Sequence, residues 1–179
     1  MRNFFFAALA FAGITLAPAA GFAAPTVDAL VAKVGREAVL LSDLQRFRDL
    51  SEILDCASVV RREGPLAADK KGLLDAYIEE DLMFQEARSR KLSTAGMIPQ
   101  AVKAIHKVDA CKERWQKLGA EYSKVYRTEA RAREGESLLV RELEKRVLVE
   151  RFRKSEAAAD GEGWKREAKS RYPVKVYLE

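Results

Sequence analysis

The sequence predicts a mainly α protein with a small β-sheet, in which an N-terminal hairpin and a C-terminal strand pair beside a helical body. Three observations predict it. Two β-prone runs, residues 29–34 and 37–41, flank Gly35-Arg36 and read as a hairpin, the first run being equally compatible with one irregular strand. Through the middle of the chain apolar residues recur every three or four positions, and residues 174–178 (Val-Lys-Val-Tyr-Leu) alternate with period two. A lone terminal strand cannot leave its backbone donors and acceptors dry, and the other strand candidates lie at the opposite end of the chain. The two ends are therefore expected to meet in one sheet.

Ahead of the hairpin, residues 1–23 have the layout of a secretory signal peptide. Met1-Arg2-Asn3 is a short positive start, residues 4–16 are an apolar run, and Gly21-Phe22-Ala23 is a small-x-small cleavage site. Cleavage after Ala23 leaves residues 24–179 as a single exported domain. The apolar run falls short of the roughly 20 residues a spanning helix needs, so no membrane span is expected. With 179 residues, 48% of them hydrophobic and 33% charged, the chain has a globular composition with room for one domain.

The helices follow in order. Ser42 stands at the first N-cap position, with Gln45 three residues later completing a capping box. Leu44, Phe47, Leu50, Leu54 and Ala57 mark one helical face, Val60 extends it, and Gly64-Pro65 ends it. A second helix over residues 69–91 stacks Leu74, Ile78 and Leu82, while Tyr77, Phe84 and Ala87 widen the apolar arc. Its acids (Glu79, Glu80, Asp81, Glu86) precede its bases (Arg88, Arg90, Lys91), as the helix dipole prefers. Pro99 opens a third helix whose stripe runs through Ile98, Val102, Ile105, Val108, Cys111, Trp115 and Leu118. Gly119 is a candidate end or bend. Residues 122–134 read as helical but poor in large apolar groups, and Gly135 is a weak point. Residues 137–154 form the strongest late helix, with Leu139, Leu143, Val147 and Phe152 inward and its Lys and Arg residues on a solvated face. Residues 155–163 have linker composition, and Trp164 opens a last short helix that Pro173 stops.

Little of this supports catalysis. The single histidine, His106, lies off the apolar stripe and reads as a surface residue; it excludes a His-x-x-x-His metal site. No nucleophile elbow, phosphate loop or dinucleotide fingerprint occurs, so no catalytic residue, cofactor or metal is expected and the chain is read as a non-enzyme. The net charge of +5 would raise nucleic acid as a partner in a cytosolic protein, but not in an exported one. Two cysteines in an exported chain tend to pair. A Cys56–Cys111 disulfide is expected, and closing a loop of 55 residues stabilises by roughly 4 kcal/mol in the chain-entropy description.

Three segments carry a family resemblance. The first is Val31-Ala32-Lys33-Val34-Gly35-Arg36-Glu37-Ala38-Val39-Leu40-Leu41-Ser42-Asp43-Leu44. The second runs from Leu73-Leu74-Asp75-Ala76-Tyr77 through Phe84-Gln85-Glu86-Ala87. The third combines Leu148-Val149-Glu150-Arg151-Phe152 with Trp164 and Val174-Lys175-Val176. In order and spacing these resemble the chaperone module of SurA-type periplasmic proteins, although Val34 stands where that family usually has asparagine. The resemblance implies a helical module closed by head-to-tail strand pairing, a periplasmic location, and an ATP-independent holdase for unfolded or outer-membrane proteins. Longer relatives insert prolyl isomerase domains before the closing strand. Residues 155–163 leave no room for a domain of about a hundred residues, so the resemblance implies a module without isomerase activity, with a separate isomerase-containing protein as a further candidate partner.

A holdase needs an apolar concavity and reversible binding; micromolar affinity corresponds to about 8 kcal/mol. Tyr77, Met83, Phe84, Tyr122 and Tyr126 are the client-binding candidates, because such side chains adapt to varied clients. The alternative is that Tyr77, Met83 and Phe84 are simply core. Tyr122 and Tyr126 sit among few other large apolar residues, which favours their exposure. Two other readings compete: an oligomeric coiled-coil protein of the Skp type, which the breaks at Gly64-Pro65, Pro99, Gly119 and Gly135 argue against, and a dedicated accessory subunit of an envelope assembly.

Overall fold

The computed structural model describes residues 28–62, 64–125, 129–155 and 161–178; the signal-peptide reading of residues 1–23 and Tyr126 lie outside them. The fold is mainly α with a small antiparallel sheet. Strands β1 (Leu30–Val34) and β2 (Glu37–Leu40) form the expected hairpin, and Gly35 takes a φ of +57° at its turn. Strand β3 (Val174–Val176), shorter than the alternation predicts, pairs antiparallel with the other side of β1, giving the order β2-β1-β3. Ala32 faces Val176 and Val34 faces Val174. Two further backbone bonds lock the clasp: the Gly35 amide donates to the Pro173 carbonyl and the Tyr177 amide to the Val31 carbonyl, both at 2.9 Å.

Helix α1 (Leu41–Cys56) starts one residue before the expected cap. Leu40 is the extended cap residue, and Asp43 rather than Gln45 reaches back, accepting from the Leu40 amide at 2.8 Å. Gln45 donates instead to Asp49. The helix also stops before the expected Gly64-Pro65, because Ser58 and Val60 take positive φ values of 56° and 47° and the Val59 amide turns back onto the Leu54 carbonyl. Helix α2 (Lys70–Ser89) begins as predicted, with Asp69 accepting from the Gly72 amide at 3.0 Å.

The single third helix of the sequence reading is two helices. Helix α3 (Met97–His106) and α4 (Asp109–Val125) are separated at Lys107-Val108. The Val108 carbonyl accepts from the Cys111 and Lys112 amides and so starts the second helix, leaving the Val108 side chain 42% exposed. The break is so short that the apolar spacing carries across it. Helix α4 runs straight through Gly119, and α5 (Glu129–Arg153) through Gly135. Helix α6 (Gly161–Arg171) takes up the last three residues of the expected linker. His106 is exposed, as expected.

Buried side chains fall into two cores. One lies beneath the sheet and joins Val31, Val34 and Val39 to Leu44, Leu74, Leu82, Phe152 and Trp164. The other joins Leu50, Ile53 and Leu54 to Ile105, Trp115, Leu118, Leu139, Leu143 and Val147. Helices α1 and α5 contribute to both. The Cys56–Cys111 disulfide, with Cα atoms 5.9 Å apart, pins the end of α1 to the first turn of α4.

Candidate functional site

A cleft of about 270 Å³ opens where β2, α1, α2, α4 and α5 converge, and a recess of about 30 Å³ continues from it between α2 and α5. Helical spacing supplies its walls. On α2, Tyr77, Asp81 and Phe84 fall at i, i+4 and i+7; on α5, Leu138, Glu142, Lys145 and Val149 fall at i, i+4, i+7 and i+11. The anchored start of α1 adds Asp43, Arg46 and Phe47. That start is held by Asp28, which accepts from the Ser42 amide at 3.1 Å, and by the Ala29 carbonyl, which accepts from the Leu41 amide at 2.9 Å.

The structure brings together three of the five sequence-predicted candidates. Tyr77 meets Phe47 edge-to-face at 5.3 Å between ring centroids. Tyr122 lines the outer cleft and Phe84 the recess. Tyr122 is not the exposed residue expected: it is 9% exposed, because α4 packs on α5 and the Arg46 guanidinium lies 5.1 Å from its ring centroid. Met83 points to the other side of α2, toward Trp164 and Lys165. Tyr77, Met83 and Phe84 all pack against the core beneath the sheet while their edges line clefts. Burial pushes the hydroxyls of Tyr77 and Tyr122 upward, with Asp81 adding to the shift at Tyr77 and Glu142 at Tyr122.

Charged residues are the part that sequence reasoning misread. Glu80, Asp81 and Glu86 are buried rather than mere dipole partners, and Arg146 is buried rather than on the solvated face of α5. Arg146 donates to Glu80, to the Phe47 carbonyl at 2.9 Å and to Ser51 Oγ at 2.6 Å, and its guanidinium stacks 4.0 Å from the centroid of Phe47. Arg153 donates to Glu80 at 3.0 Å, and Arg62 lies 3.4 Å from it. Glu86 is held by Arg171 at 2.9 Å and Arg90 at 3.7 Å. The available signal was the width of the apolar arc on α2: acids set inside so wide an arc must be buried, and a buried acid needs a base from another element.

Asp81 differs from these. It is 7% exposed and keeps its Oδ2 without a hydrogen-bond partner. Burial, with the nearby Glu37 carboxylate adding to it, pushes Asp81 up to about 6. Burial alone pulls the Lys145 ammonium down, but Glu142, Asp81 and Glu37 together hold it above its ordinary value. Among the described residues no three His, Cys, Asp or Glu side chains come together to hold a metal ion, and no helix is long and apolar enough to cross a membrane. Compared with protein-family models, curated proteins and solved structures, the chain matches none.

Proposed function

We propose that this protein is an ATP-independent periplasmic chaperone of the SurA type without a prolyl isomerase domain. In this reading it is exported by a signal peptide cleaved near Ala23 and holds unfolded or partly folded envelope proteins at the aromatic cleft. The observation that carries the reading is the pairing of β3 with β1 across the helical body, the arrangement that the resemblance implies. The disulfide between Cys56 and Cys111 is compatible with an oxidising compartment. The cleft presents the rings of Phe47, Tyr77 and Tyr122 among the charged groups of Glu37, Asp43, Arg46, Glu142, Lys145 and Arg146, a mixed lining that suits reversible contact with varied segments.

Light scattering tests it. Stoichiometric protein should suppress aggregation of a urea-diluted outer-membrane β-barrel protein without ATP, and a prolyl isomerase assay should read blank. Unchanged aggregation would sink the reading. Trapping the bound proteins and identifying them by mass spectrometry separates a general holdase, which captures many, from an accessory subunit, which captures one at fixed stoichiometry.

A further inference from the structure

We propose that the groove lined by Phe84, Arg88, Lys91, Leu92, Arg141 and Leu148 docks an acidic segment of a partner protein, one that also bears aliphatic side chains. The site goes beyond the chaperone reading and does not depend on it, since its partner is defined by charge and not by being unfolded.

Helical spacing builds the groove. Phe84 and Arg88 stand one turn apart on α2, and Arg141, Lys145 and Leu148 fall at i, i+4 and i+7 on α5. Each helix thus turns bases and an apolar group to a common space of about 480 Å³. Just past α2 the chain reverses. Lys91 takes a φ of +54°, and the Leu92 amide donates to the Ala87 carbonyl at 3.0 Å, which sets Leu92 in the groove. Glycine makes such a left-handed turn at least cost. Lysine stands there instead and adds a further charge to the lining. A residue kept against local preference marks a surface held for something other than stability.

Charge and shape then choose the partner. Arg88, Lys91 and Arg141 are exposed, and among the described residues none of them has an ion-pair partner. Lys145 is shared with Glu142 at 3.4 Å, and Glu144 is the one carboxylate in the lining. Arg88 and Lys145 come from different helices yet converge on the Phe84 ring, 5.6 Å and 5.5 Å from its centroid. A guanidinium stacked on a ring keeps its edge donors for a carboxylate. Like charges gathered without counter-charges repel, and a partner's carboxylates relieve that cost. The floor is apolar and deep: Phe84 is 9% and Leu148 6% exposed. A bilayer takes up protruding apolar side chains and does not reach such a floor. A single chain can lay an aliphatic side chain on it while its carboxylates meet the rim.

Fluorescence anisotropy with a labelled peptide of glutamates around a leucine pair tests the site. Saturable binding is expected, weakening as salt is raised, and about tenfold weaker in the double variant Arg88→Gln/Arg141→Gln. Peptides with glutamine for glutamate, or with serine for leucine, should each bind about tenfold less well. Both arginines are exposed, and circular dichroism checks the fold of the variant. The charge-reversed variant Arg88→Glu/Arg141→Glu should in turn prefer a lysine-for-glutamate peptide, a gain that no loss of folding imitates. Absence of saturable binding, equal binding of the glutamate and glutamine peptides, or unchanged binding in both variants would overturn the proposal. Phosphatidylglycerol vesicles bound in preference to the peptide, and lost in the same variants, would also overturn it and make the surface a membrane contact.

Discussion

The core beneath the sheet draws on residues from both ends of the described chain, from Val31 to Ala168, whereas the core around the disulfide is assembled from residues between Leu50 and Val147. The first is closed by backbone pairing, β3 on β1, and takes a charged layer along one side. The second is apolar throughout and closed by a covalent bond. One chain thus uses two solutions to the same problem of limited size: distant segments clasped by hydrogen bonds, and a cross-link that removes freedom from the unfolded chain. Where they adjoin, Arg146 joins α5 to α1 and α2 through Glu80, Ser51 and the Phe47 carbonyl. The two tryptophans report separately, Trp164 from the sheet side and Trp115 from the disulfide side.

The largest effect is expected at that junction. Glu80→Ala would leave Arg146 buried without its counter-charge and free the ends of Arg153 and Arg62. Breaking a buried pair from one side costs about 3–5 kcal/mol, and the loss here should lie toward the upper figure. In urea titrations of Trp→Phe variants that keep one tryptophan each, both midpoints should fall together. A fall confined to Trp164 would mean that the network belongs to the sheet side and couples nothing.

Replacing both Cys56 and Cys111 by alanine comes next. The chain-entropy description gives roughly 4 kcal/mol for this loop, and the loss should fall on the Trp115 transition more than on that of Trp164. Equal shifts would show that the two cores unfold as one unit.

The difference between the cores also explains what was legible in the sequence. Apolar periodicity reveals which residues are buried, so Leu74, Leu139, Leu143, Val147 and Phe152 are where the spacing put them. Strand pairing at long range followed from the need of Val174–Val176 for a partner. Periodicity is blind to short interruptions: Lys107 and Val108 break a helix without disturbing the stripe on either side. It is equally blind to buried charge, because Asp81 or Arg146 looks the same in sequence whether it faces water or another helix. The cleft was therefore legible through Tyr77 and Phe84, and its carboxylates were not. Tyr122 was misplaced because its burial comes from α5 and Arg46, neither of which its own segment announces.

Asp81 gives a smaller effect with a definite sign. Its carboxyl is raised from 3.8 to about 6 in the folded state, so the folded chain binds a proton more readily than the unfolded one between those values. Stability should fall as pH rises through that window and carry the whole penalty, about 3 kcal/mol, above it. Asp81→Asn removes the penalty: urea midpoints should exceed those of the parent at pH 8 and converge with them below pH 4. A variant less stable than the parent at pH 8 would mean that the folded protein satisfies the Asp81 carboxylate after all.

The smallest effect tests the clasp itself. Gly35 sits at φ +57° between β1 and β2, and its amide donates to Pro173 beyond β3. A methyl group added there would meet the nearest atoms, those of Tyr172, at 3.7 Å, which is ordinary contact. The penalty for Gly35→Ala is therefore conformational rather than steric, about 1 kcal/mol, and should appear on the Trp164 transition while Trp115 stays put. Gly35→Asn should lose less, because asparagine tolerates the left-handed region better than alanine. If alanine and asparagine cost the same, the loss comes from a neighbour's displacement, and the turn is not what holds the hairpin in register with β3.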